Sequence, residues 1–176
     1  MADAPIRHPM LQRLYAAWCG LGAAGALPSF RRFDPVEVPG ALGQILVVAV
    51  ERAPLRFRYR VFPTRLTALM HRELTGHYVD EIDDLPERDL VLERMARGAT
   101  DARPTVMIRT GRTPDYLITF ESLMLPFADD GAAVDTLAFG MEPIERRELS
   151  GLADPTPRLI SEIALDRPPH AGAPPP

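Results

Sequence analysis

Polar and apolar positions alternate most sharply between Leu55 and Val61. Leu55, Phe57, Tyr59 and Val61 take every second place, and Arg56, Arg58 and Arg60 take the places between them. A period of two belongs to a strand with one buried and one solvated face. Gln44 to Glu51 is instead continuously apolar at its centre and reads as a fully buried strand. Near the N-terminus the period lengthens. Leu11, Leu14, Tyr15 and Trp18 fall at i, i+3, i+4 and i+7, one face of a helix. Pro9 suits its first turn, and Gly20, Gly22 and Gly25 end it. Met1 to Arg7 reads as a loose leader. Asp34 and Pro35 predict a capped short helix.

Downstream, Leu66, Leu69 and Met70 follow Pro63-Thr64 as a short helical run. Val91, Leu92, Met95 and Ala96 predict a helix between Pro86 and Gly98. Pro104 to Arg109, Asp115 to Phe127 and Ala133 to Met141 read as strands, the last two joined by a turn at Asp130-Gly131. Beyond Arg147 the pattern fades. Thr156-Pro157 opens one short helix over Leu159, Ile160 and Ile163, and Asp166 to Pro176, with five prolines, is predicted to be disordered. The order of two strands, short helices, a longer helix and three strands is that of an α+β chain.

Several segments together resemble a PAS-domain family of small, mostly stand-alone bacterial proteins. They are Leu14, Tyr15 and Trp18 in the first helix; Arg32-Phe33-Asp34-Pro35; Phe57-Arg58-Tyr59-Arg60-Val61; Glu73-Leu74-Thr75-Gly76; Leu125-Pro126-Phe127; Asp129-Asp130-Gly131; and Val134 to Phe139. The resemblance runs from Leu11 to Met141. It departs from the family at Pro63 and His71, near which glycine is usual. It implies a five-stranded antiparallel sheet with helices on one face and an N-terminal flanking helix. The divisions it implies are a leader and amphipathic helix over 1–26, a PAS-like domain over 27–147 and an extension with a proline-rich tail over 148–176. It also implies a sensor or adaptor in signal transduction rather than an enzyme.

Composition narrows the partners. The 176 residues carry a net charge of −4, against a main role in binding nucleic acid, which needs a basic face. All 20 basic residues are arginine, which excludes a Schiff-base or phosphate-cradling lysine. The one cysteine, Cys19, cannot form an internal disulfide and fits a reducing compartment. No signal peptide is evident, and the run Ile45 to Val50 is far shorter than the roughly 20 residues of a membrane helix. The expectation is a cytoplasmic protein without a membrane or nucleic-acid partner. The chain has no room for a kinase, cyclase or DNA-binding output domain. It would then work through an unidentified signalling protein, as a homodimer, with a small molecule as a further ligand.

Candidate chemistry is sparse. Arg56, Arg58 and Arg60 could clamp an anion, or pair with acids such as Glu51 or Glu121 on a neighbouring strand. His8, His71, His77 and His170 have no zinc-ligand spacing. The absence of histidine between Pro86 and Gly98 disfavours haem, and the placement of Cys19 in the first helix disfavours a flavin photosensor. Gly20-Leu21-Gly22-Ala23-Ala24-Gly25 follows a helix rather than a strand, so it reads as a terminator and not a dinucleotide loop. None of the four serines sits in a nucleophile elbow. If the chain were a pocket enzyme, Glu121 would be its general base. The ligand-pocket candidates are Val61, Leu66, Leu69, Val91, Met95, Ile118, Phe120 and Phe139, which would equally form a filled core in a ligand-free interaction module. Leu11, Leu14, Tyr15 and Trp18 pack either on their own sheet or on a second subunit.

Overall fold

The computed structural model describes residues 5–22, 26–83, 85, 87–152 and 156–166. The alternating and continuous apolar runs become strands β1 (Ile45–Glu51), β2 (Arg56–Val61), β3 (Thr105–Arg112), β4 (Tyr116–Phe127) and β5 (Thr136–Glu148). A sixth strand, β6 (Leu159–Ala164), closes the series. They form one antiparallel sheet of six strands in the order β2-β1-β5-β4-β3-β6. Three helices, α1 (Pro9–Leu21), α2 (Thr64–Met70) and α3 (Arg88–Asp101), complete the α+β fold.

β6 corrects the short helix expected over Leu159, Ile160 and Ile163. Without it the outer edge of β3 would leave its backbone groups unpaired, and a six-residue helix is marginal alone. Pairing of Thr105 with Ala164 and Val106 with Ile163 satisfies that edge. The sheet therefore gains one strand beyond the five expected, and residues assigned to the extension belong to it. The tail beyond Asp166 lies outside the described residues.

As expected, α2 and α3 lie over one face of the sheet, and the N-terminal flanking helix α1 covers the other. Strand residues alternate between two apolar layers. Val47, Leu123, Leu125 and Phe127 face α1, while Val48, Val50, Met124 and Leu137 face the layer of α2 and α3. Both faces of the sheet are thus covered, with α1 alone on one of them.

α1 sits close because of Gly140. A Cβ there would lie 2.7 Å from methyl carbons of both Leu11 and Leu14. Leu11, Leu14 and Trp18 are completely or almost completely buried. Trp18 donates its indole N–H to the carbonyl of Pro126 at 2.8 Å. Tyr15 is half-buried, stacks on Trp18 and donates its hydroxyl to the Asp166 carbonyl at 2.6 Å. The face offered by the sequence as a subunit interface is consumed by the chain's own sheet.

The leader is likewise partly fixed. Ile6 is buried, and the carboxylate of Glu121 accepts the backbone N–H groups of Arg7 and His8 at 2.7 and 2.8 Å. Met1 to Ala4 lie outside the described residues, as does Gly25. Asp34 caps its short helix as expected, accepting the N–H of Val36 at 2.8 Å. At the end of α2, His71 adopts a left-handed backbone with φ 56°. That conformation favours glycine and explains why the family prefers it near this position.

Because Trp18 is core, Trp18→Ala should cost about 3–5 kcal/mol of stability without changing the association state. Thermal unfolding and sedimentation velocity check the two halves. An unchanged melting temperature with lost association would restore the interface assignment.

Candidate ligand cavity

Between the sheet and the layer of α2 and α3 lies a cavity of about 130 Å³. Its apolar walls come from α2 (Leu66, Leu69, Met70), from α3 (Val91, Met95), from the strands (Leu46, Met107, Phe120, Phe139, Met141) and from Phe62 at the corner between β2 and α2. Register explains the strand contribution. Met107 pairs with Ser122 and Arg109 with Phe120, so alternate residues of β3 and β4 project to the same side. Of the eight pocket candidates, Leu66, Leu69, Val91, Met95, Phe120 and Phe139 line the cavity. Val61 does not: it is 48% exposed near the corner into α2. Ile118 is buried but belongs to the surrounding core rather than the wall.

The cavity also holds charged residues that the sequence reading did not single out. Arg94 projects from α3 and is only 6% exposed. Glu87 lies just before α3, with a left-handed φ of 57°, a conformation that costs a non-glycine residue on the order of 1 kcal/mol. Arg109 projects from β3, and its Nη1 is 3.7 Å from Oε2 of Glu87. Three buried atoms here have no hydrogen-bond partner among the described residues: Oε1 of Glu87, Nη2 of Arg94 and Oγ of Ser122. A buried polar group without a partner costs about 1–3 kcal/mol.

Burial dominates the electrostatics. It raises the Glu87 carboxyl above its ordinary value, and the neighbouring guanidiniums of Arg109 and Arg94 only partly oppose the rise. It lowers the guanidiniums of Arg94 and Arg109 from theirs, with partial compensation by Glu162 and Glu87 for Arg94, and by Glu87 for Arg109. Both stay charged near neutral pH because arginine starts so high. Burial also pushes the Tyr59 hydroxyl up to about 12.

Arg94 was legible in principle. It falls three residues after Val91 and four before Gly98, inside the apolar stripe of α3. Arg109 likewise follows Met107 by two on the inward face of β3.

The other candidates resolve outside the cavity. Glu121 is only 2% exposed, but it holds the N-terminal segment on the α1 side and does not line the cavity, so it cannot serve there as a general base. Arg56 pairs with Asp80 and Glu81 at 2.9 and 2.6 Å and lies over the Tyr78 ring at 3.7 Å. Arg58 pairs with Glu51 at 2.8 Å. The alternating arginines are thus largely a paired surface rather than an anion clamp. No histidine or cysteine lines the cavity, and among the described residues no cluster of His, Cys, Asp and Glu is arranged to hold a metal ion.

Because the folded state raises the Glu87 pKa, its stabilising contribution is complete below the ordinary value of 4.5 and is lost as pH rises through the raised value. Glu87→Gln should therefore melt above wild type at about pH 8, and the difference should vanish by about pH 4. Paired thermal scans across that range check this. An offset independent of pH would contradict a desolvated carboxylate at this position.

The arrangement of a curved antiparallel sheet, helices over one face and a cavity beneath them can be compared with known proteins. Searches of the curated proteins and of the solved structures return no match. The family model for the PAS domain matches residues 6–141. That span takes in α1, both strand pairs bordering the cavity and the helices that roof it, and the chain belongs to the PAS-domain family.

Proposed function

We propose that this chain is a cytoplasmic sensor or adaptor of bacterial signal transduction, not an enzyme, and that a small ligand biases its contacts with other proteins. The observation that carries the reading is the largely apolar cavity with a charged end between the sheet and α3. PAS domains are in general sensor and interaction modules, and a core evolved only for packing would leave neither this volume nor three unpartnered polar atoms.

A ligand shifts an equilibrium only through different affinities for two states. α3 offers a physical link. Arg94 reaches the cavity and feels Glu162 of β6, while Arg97, one position short of a full turn later, forms an ion pair with the same Glu162. A ligand that draws Arg94 inward changes the charge balance holding α3 to β6. β6 is the end strand of the sheet, and it exposes Leu159, Ile160 and Ile163. An edge strand with open backbone groups and apolar side chains can pair antiparallel with its own copy. We therefore assign β6 as the surface of a homodimer, and the signalling partner as a protein that distinguishes its liganded state. No helix among the described residues is long and apolar enough to cross a membrane.

Native mass spectrometry of the isolated protein, before and after denaturation, tests the ligand. The expected result is a dimer that releases a small molecule on denaturation. A protein that carries none, and shows no change in assembly or stability with any small molecule of a broad library, would overturn the sensor reading. Ile160→Glu with Ile163→Glu should convert the dimer to a monomer while leaving the melting temperature within a few degrees. An unchanged dimer would remove β6 from the interface.

A further inference from the structure

The polar end of the cavity specifies what it takes. Its charged lining is Arg94, Arg109 and Arg112 against Glu87, so positive charge exceeds negative by two, and the Arg97–Glu162 ion pair stands behind it. Nη2 of Arg94 and Oγ of Ser122 are both buried donors with no acceptor among the described residues. Arg94 is more than nine-tenths buried, so no surface water film satisfies it cheaply. An unpaired guanidinium in such a place finds its strongest partner in a planar oxyanion, which accepts charge-assisted bonds from both groups.

The remaining walls are apolar. A cavity of about 130 Å³ approaches the 150 Å³ that accommodates benzene when lined by aliphatic and aromatic side chains. Leu66, Met70, Met95 and Phe139 supply that kind of lining here. The methionines can adjust to the outline of a guest.

We propose that the ligand is a small monocarboxylate with an apolar body about the size of a benzene ring, its carboxylate held by Arg94 and Ser122 and steadied by the charge of Arg109. This rests on reading the cavity as a ligand site. Binding supplies the missing partners of the two donors and offsets part of the excess charge. Glu87 then acts as a discriminator. It pairs with Arg109 in the empty site and repels an incoming carboxylate, which sets an upper limit on affinity and lets the pair loosen when the site fills.

The test is isothermal titration of the full chain with benzoate, benzamide, phenyl phosphate, phenylalanine and benzene. Benzoate should bind roughly tenfold or more tightly than benzamide, its neutral counterpart. Arg94→Met should abolish that preference while leaving benzene binding in place. Arg109→Met should weaken benzoate in the same direction, and serves as the second variant if the first does not fold. Glu87→Gln should tighten benzoate. Were the ligand a zwitterion whose ammonium meets Glu87, the same variant would weaken binding, and phenylalanine would lead the series. Benzamide or benzene binding as well as benzoate would overturn the carboxylate assignment and leave the ligand cavity standing, as would tighter binding of phenyl phosphate or phenylalanine. Silence from every probe, benzene included, would overturn both.

Discussion

β4 must be buried on both faces, and most of the architecture follows from that. Eleven of its twelve residues are buried; β5 pairs with it along its full length and β3 from Leu117 to Met124. Successive side chains point to opposite sides, so each side needs a cover. α1 supplies one, seated tightly because Gly140 has no side chain to hold it off. α2 and α3 supply the other less completely, since α2 is only 7 residues long and, among the described residues between the two helices, only the 3-10 turn Val79–Glu81 is helical. The shorter cover on the α2 and α3 side is the origin of the cavity beneath those helices.

The charged residues within that cavity do not stabilise the fold in any ordinary way. Desolvation dominates at Glu87, Arg94 and Arg109, and the single ion pair among them is loose at 3.7 Å. Breaking even with apolar replacements is the best such buried groups usually achieve. Their presence makes sense as a site whose missing partner comes from outside. α3 then does two jobs. Its inner face presents Arg94 to the cavity, and its outer edge ties Arg97 to β6.

Local patterns were the most legible part of the sequence. The alternation from Leu55 to Val61, the apolar run of β1, the Asp130-Gly131 turn and the stripe of α1 each carry their own signal over a few residues. β6 was not legible because its stability comes from the distant edge of β3; read alone, Leu159, Ile160 and Ile163 fit a helical spacing equally well. The partner of the α1 stripe was equally hidden, since periodicity says that a face is apolar and not what covers it. Six of the candidates line the cavity because wall and core obey the same pattern, and Val61 turns outward because the register of β1 with β2 shifts between Val47 and Val48. Arg94, Glu87 and Arg109 were passed over because charged residues ordinarily mark solvent, although the first and last interrupt apolar faces at inward positions.

The most direct measurement of the central claim, that the cavity beneath α2 and α3 is open to a guest, uses the methionine methyl groups as reporters. Met70, Met95, Met107 and Met141 line the cavity, while Met10 lies in the α1 layer. In methyl NMR spectra of methionine-labelled protein titrated with benzene, the account predicts saturable shifts at those four and none at Met10. Shifts at Met10 with the four unmoved, or small uniform shifts at all five, would contradict it.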